Sequence, residues 1–186
     1  MARLIEMKGL HILLEACAHL RDRGIAFRCE IVGEGSLYPE LEATIARDHL
    51  HDRVRLLGIR TQHEVLERLQ TVHLFVLPCV QAANGEHDRI PVAITEALAC
   101  GRPVVTTPIG GISEVVRHDY NGLLVRPDNA YALSEALESM ISDSELYARL
   151  RANTRASVDK RFNLNETAQQ LARLFEGSSE YLRRAP

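Results

Sequence analysis

Apolar residues recur along this chain in two alternating rhythms. Leu10, Leu13, Leu14, Cys17 and Leu20 fall at helical spacing, and Gly24 closes that helix. Phe27 to Val32 reads as a strand ending in Gly33-Glu34-Gly35. Leu37 to about His49 is helical, Val54 to Leu57 a strand, and Glu64 to Leu69 part of another amphipathic helix. His73 to Leu77 is a short apolar run stopped by Pro78, as a buried strand would be. A polar loop over 79–90 leads into a helix that Gly101 ends, and the β-branched run Val104 to Thr107 follows. Gly110-Gly111 opens a short helix through Val116. Asn121-Gly122 makes a turn before a strand over Leu123 to Val125, and from Asn129 the chain reads as helices with a break near Phe162. This alternation predicts an α/β fold, a Rossmann-like parallel sheet with helices on both faces. Neither a repeat nor a low-complexity linker interrupts it, so residues 1–186 are read as a single domain.

Composition narrows the picture by exclusion. A formal charge of −3 gives no support for nucleic-acid binding. No apolar run approaches the ~20 residues that span a bilayer, and Met-Ala-Arg-Leu-Ile-Glu lacks the apolar centre of a signal peptide; the expected location is cytoplasmic. Cys17, Cys29, Cys79 and Cys100 are widely spaced in apolar segments, which fits small buried hydrophobes better than zinc or a redox dithiol. The eight histidines are scattered without a His-x-x-x-His pair, so no metal site is expected.

The stretch from Asp88 to Val105 carries most of the chemistry. Two carboxylates, Asp88 and Glu96, stand with seven residues between them around the start of the helix, and Pro91 pre-sets φ at its first turn. A helix amino end exposes unpaired N–H groups and a partial positive charge, which suits phosphate or a polar sugar. Acceptor carboxylates around such an end suit hydroxyls. A nucleotide sugar has both. The backbone around Ile90, Val92 and Ala93 supplies the N–H donors.

The wording Glu96-Ala-Leu-Ala-Cys-Gly-Arg-Pro-Val-Val105, with Asp88 eight positions before Glu96, resembles the signature of the retaining family 4 glycosyltransferases. Their usual form is Glu-x7-Glu followed by Ala-Met-Ala-Cys-Gly-x-Pro-Val-Val; Asp88 is a shorter carboxylate at the first acidic position. Ile90-Pro91-Val92-Ala93 is similar to members that build surface polysaccharides. The resemblance covers nearly the whole chain. It implies the C-terminal, donor-binding domain of the two-domain GT-B fold, with the N-terminal acceptor domain absent.

Family domains open with an apolar strand leading into Gly-Arg-Leu-x-x-x-Lys-Gly, whereas this sequence enters that motif at Ala2-Arg3-Leu4. The first strand is therefore expected to be largely truncated. That strand is central in a Rossmann-like sheet, so its loss should leave two unpaired edges. A fragment, a misplaced start or half of a split enzyme would each give this pattern.

The resemblance also implies roles, each with a plainer structural reading beside it. Arg3 and Lys8 would clamp the donor diphosphate and let it leave without a metal or other cofactor; otherwise they are solvated charges. Asp88 would contact the transferred sugar, or else serve as a helix N-terminal acid. Glu96 would accept hydrogen bonds from a ribose diol, and its apolar neighbours Ile94, Ala97 and Leu98 speak against a merely solvated side chain. Gly33 would shape the donor pocket within the turn after its strand. Gly110-Gly111 and Glu114 are a cleft wall or a flexible turn.

The implied activity is transfer of a hexose from a nucleoside-diphosphate sugar to a glycan or lipid-linked acceptor held by the missing half. Family members associate peripherally with membranes through that half; Arg183-Arg184 is too small a basic cluster to argue from. Uridine and guanosine donors both fit. A non-catalytic remnant or partner subunit that binds nucleotide sugar is the alternative. A dinucleotide oxidoreductase is disfavoured, because Ser36-Leu37-Tyr38 follows Gly35 where a third glycine would be needed.

Overall fold

The structure, a computed structural model, describes residues 1–159 together with 168, 169, 172 and 173. The break expected near Phe162 and the Arg183-Arg184 pair lie outside the described residues. Strands β1 (Cys29–Val32) and β2 (Val54–Gly58) pair in parallel. A second parallel set runs in the order β3 (Phe75–Leu77), β4 (Val104–Thr106), β5 (Gly122–Leu124). Helices α1 (Leu10–Asp22), α2 (Tyr38–Arg47), α3 (Gln62–Thr71), α4 (Val92–Ala99), α5 (Ala130–Ser142) and α6 (Ser144–Asp159) connect and cover them.

Strand alternation decides where the helices go. Neighbouring side chains on a strand point to opposite faces, and here both faces are apolar. Val104 packs with Ile94 and Leu98 of α4, while Val105 packs with Leu14 of α1 and Leu133 of α5. In β3, Phe75 and Leu77 join the α4 side and Val76 the α1 side. Each fully buried Val, Leu or Phe contributes roughly 1.5–3 kcal/mol, so both faces need a helical layer. Local signals set the helix starts: Thr61 and Glu64 form a reciprocal capping box on α3, and the Asn129 side chain accepts the Ala132 N–H at the start of α5.

Among the described residues, the two sets of strands are not hydrogen-bonded to each other. Between β1 and β3 lies a cleft of about 1040 Å³, lined by Cys29, Glu30 and Val32 on one side and Phe75 and Val76 on the other. Cys17 of α1 and Leu69 of α3 close its two faces. The Ala2 N–H donates to the Val32 carbonyl at 2.9 Å and the Leu4 N–H to that of Glu34 at 2.8 Å. Steps of two on both chains mark parallel pairing. Residues 1–4 thus continue the line of the slot beyond the end of β1, and no strand fills the slot itself among the described residues.

Several boundaries differ from the sequence reading: β1 starts at Cys29 rather than Phe27 and β3 at Phe75 rather than His73, and two further shifts have a clear physical reason. Pro91, with φ −61° and ψ 123°, is the residue before α4 rather than part of its first turn. The last turn before β5 covers residues 119–121, and Gly122 already belongs to the strand. The reason is burial. Asn121 is fully enclosed, accepting the Arg117 N–H and donating to the Val115 carbonyl, so it cannot be a solvent-facing turn residue. Gly122 is required for another reason, since a Cβ there would sit 2.2 Å from the Val104 carbonyl oxygen. The segment after Gly110-Gly111 is a single 3₁₀ turn at Ile112–Glu114.

Candidate functional site

Ligands in open parallel sheets bind outside the carboxyl ends of the strands, and here three segments converge there. Residues 1–9 run from the end of β1 to the end of β3: after the contacts with Val32 and Glu34, the Met7 carbonyl accepts the Val80 N–H at 3.1 Å. Gly9, at φ +62°, lets the chain turn into α1 against Pro78; a Cβ there would lie 1.9 Å from the Pro78 oxygen. Residues 78–91 leave β3 and enter α4. Residues 107–111 leave β4 and pack beneath them.

This convergence brings Lys8 and Asp88 together. Lys8 Nζ lies 2.6 Å from Asp88 Oδ2, with side-chain exposures of 11% and 20%. The pair is therefore screened from water on most sides, where charges interact more strongly than at an open surface. The Cys79 thiol approaches the same Oδ2 at 3.8 Å. Burial, reinforced by the Asp88 charge, pushes that thiol up to about 12, so it stays protonated at neutral pH. The Asp88 backbone is pinned from below: Gly110, at φ +57°, lies so close that a Cβ would meet the Asp88 carbonyl oxygen at 2.0 Å. The Gly111 N–H donates to the Arg89 carbonyl at 2.7 Å.

Asp88 does not cap α4. Pro91 takes the N-cap position and no side chain caps the helix. Val92 and Ala93 open α4, so no carbonyl within the helix lies four residues back and their N–H groups lack a helical partner. Val92 is 68% exposed and Ala93 half-buried, so this end opens to the outside. Ile90 is half-buried against Gly111. Glu96 lies one turn further along, half-buried, on the same face as Val92.

Arg3 is exposed between Ala2 and the buried Leu4, and among the described residues its side chain forms no hydrogen bond or ion pair. Gly33, at φ +137°, has a specific structural duty: a Cβ would meet the Ala2 carbonyl oxygen at 1.8 Å. Its close approach is to residues 1–4, and Gly35 stands likewise against Leu4. Glu114 is exposed in the 3₁₀ turn below. Sequence reasoning missed Cys79, Thr107, Gly9 and the exact use of Gly110. Only the glycines left a signal, one directly after Lys8 and one in a Gly-Gly pair.

The family described as Glycosyl transferases group 1 matches residues 1–157 of this chain. The chain belongs to that family. It is the C-terminal domain of a GT-B glycosyltransferase. Among curated relatives it is 39% identical over 176 residues to the putative colanic acid biosynthesis glycosyltransferase WcaL of Escherichia coli K12. It is 37% identical over 175 residues to the amylovoran biosynthesis glycosyltransferase AmsK of Erwinia amylovora. Each alignment covers 94% of this chain but 43% of the relative, so the chain spans less than half the length of either. Among solved structures it superposes on Anabaena Alr3699/HepE in complex with UDP and glucose, with a TM-score of 0.82 and 29% identity, over 95% of this chain and 46% of that one. A second structure of HepE holds UDP-glucose and superposes with a TM-score of 0.81.

Among the described residues no group of three or more His, Cys, Asp or Glu side chains could hold a metal ion. No described helix is long and apolar enough to cross a membrane.

Proposed function

We propose that this chain is the nucleotide-sugar-binding half of a retaining glycosyltransferase, one that transfers a hexose from a uridine-diphosphate sugar to a glycan or lipid-linked acceptor in surface-polysaccharide assembly. The observation that carries the reading is the Lys8–Asp88 pair beside the uncapped amino end of α4, within the matched family region. Two relatives named for polysaccharide biosynthesis and a structural neighbour solved with UDP-glucose support the choice of substrate class.

The division of labour follows from side-chain chemistry. The N–H groups of Val92 and Ala93 and the positive end of α4 face the anionic part of the donor. Arg3 supplies a planar fork for a phosphate, and Lys8 retains two ammonium donors after bonding Asp88. Glu96 accepts from a ribose diol, and Asp88 accepts from a hydroxyl of the sugar. In the transfer step the bond between the anomeric carbon and the diphosphate oxygen breaks, and the acceptor oxygen bonds that carbon from the same face. The acceptor proton passes to the departing phosphate. Catalysis then consists of positioning and charge stabilisation, with no protein nucleophile and no metal.

The acceptor platform lies outside this domain in the proposal, so the isolated chain binds donor without turnover. The second reading, kept open for the test that follows, is a nucleotide-sugar-binding partner or remnant without catalytic duty. Incubating the purified chain with radiolabelled UDP-glucose and a lipid-linked or glycan acceptor, with and without a separately expressed acceptor half, tests both. Transfer only in the mixture supports the split of roles. Transfer by the chain alone contradicts it, and binding without transfer in either case favours the second reading.

A further inference from the structure

We propose that Cys79 is a positioning residue: with Lys8 it holds Asp88 by Oδ2, leaving Oδ1 to receive a hydroxyl of the transferred sugar. The inference rests on the donor-site reading above and deepens it. Both donors reach the same oxygen, Lys8 at 2.6 Å and Cys79 at 3.8 Å, and no hydrogen bond among the described residues goes to Oδ1.

The thiol is held more firmly than a space-filling cysteine needs to be. Cys79 is fully buried just past β3. Its N–H donates to the Leu77 carbonyl at 2.9 Å, and its carbonyl accepts the hydroxyl of Thr107, itself buried after β4. Gly9 packs on the preceding Pro78, which places Lys8 and Cys79 in one rigid junction. Two donors anchored in that junction hold Oδ2 in place, while the contact of Gly110 with the Asp88 carbonyl fixes the backbone. A protonated, unreactive thiol suits this task, because it can donate but adds no second negative charge beside Asp88.

Two experiments decide the proposal. Without ligand, the S–H stretching band of Cys79 is assigned by its loss in Cys79→Ser and then followed in Asp88→Asn. Donation to a carboxylate lowers that frequency, so the band should move up in Asp88→Asn; an unmoved band overturns the proposed hold on Asp88. A thermal melt of each variant establishes that it is folded, and Lys8→Met gives a second comparison in which the carboxylate is retained and the band should stay low. With ligand, dissociation constants for UDP and UDP-glucose are compared in the native chain, Cys79→Ala and Cys79→Ser.

Cys79→Ala should keep UDP affinity within about twofold while losing about fivefold in the ratio that reports the sugar, the worth of one modest hydrogen bond. Cys79→Ser should restore that ratio. Equal losses for UDP and UDP-glucose, or Ala and Ser behaving alike, would mean that the residue merely packs. Failure of the native chain to bind UDP at all would sink the donor reading and the sugar half of this proposal, while the infrared result still decides whether Cys79 holds Asp88.

Discussion

Lys8 and Asp88 stand eighty positions apart in sequence, yet Lys8 Nζ lies 2.6 Å from Asp88 Oδ2. The pair ties the segment before α1 to the loop before α4, so it joins two parts of the proposed donor site and depends on both. Removing one partner strands a charge that is mostly out of water. Lys8→Met should cost about 2 kcal/mol in denaturant unfolding, below the 3–5 kcal/mol of a fully buried pair because both side chains retain some solvent contact. Lys8→Met combined with Asp88→Asn should cost less than Lys8→Met alone. A double variant as unstable as the sum of the two singles would mean that the charges do not interact.

Gly110 offers a test of backbone placement. Ala at this position combines positive φ with a contact at 2.0 Å to a carbonyl oxygen, whereas Ala at Gly24 meets positive φ with nothing within 4 Å. Gly24→Ala should cost about 1 kcal/mol of conformational strain. Gly110→Ala should cost about 1–3 kcal/mol more and weaken UDP-glucose binding more than UDP binding, because it shifts Asp88. Equal effects of the two substitutions would remove Gly110 from the site.

The open slot makes the third prediction. Extending the chain ahead of Met1 by five β-branched residues should raise the melting temperature by several degrees, since about 1 kcal/mol moves a domain of this size by 2–4 °C. Hydrogen exchange at Glu30 and Val76, which line opposite sides of the slot, should slow in the extended chain. A glycine-serine extension of equal length should do neither. Identical exchange in both would show that the slot does not accept a strand.

Much of this was legible in the sequence because its signals are local. Period and punctuation placed α1 through Leu10, Leu20 and Gly24, and placed β4 through its β-branched run, because burial against a helix or sheet imposes those spacings directly. Asp88 and Glu96 were legible as candidates for the same reason: their spacing around one helix start survives in one dimension. What stayed hidden is tertiary. Nothing local marks Cys79 as a donor to Asp88, or Thr107 as its brace, since both relations exist only after β3 and β4 pair. Gly33 invited a ligand explanation, while the fold uses its missing Cβ to admit the Ala2 carbonyl. Pro91 was placed one position too far into α4, because a proline's fixed φ suits the residue before a helix as well as its first turn.

Cys79 also predicts a pH dependence with a defined sign. Its thiol rises from an ordinary value of 9.0 to about 12 in the folded chain, chiefly by burial. Between those values the unfolded chain gives up the proton and the folded chain keeps it. The contribution to stability is therefore fully present below pH 9 and is lost as pH rises toward about 12. The stability difference between the native chain and Cys79→Ser, measured by denaturant unfolding, should shift against the native chain as pH climbs past 9. Under native conditions near neutral pH, iodoacetamide should leave Cys79 unmodified. A pH-independent difference, or rapid alkylation of Cys79 in the folded chain, contradicts the buried, protonated thiol.

A competent donor site should reveal itself in thermal unfolding of the chain with a panel of nucleotides. A ligand that binds only the folded chain stabilises it by mass action, about 2.7 kcal/mol at a hundredfold excess over Kd. One cooperative transition is expected, raised by UDP and by UDP-glucose but not by adenosine diphosphate, with the shift lost in Arg3→Ala and in Glu96→Ala. A cooperative transition that no nucleoside diphosphate or nucleotide sugar moves would contradict it.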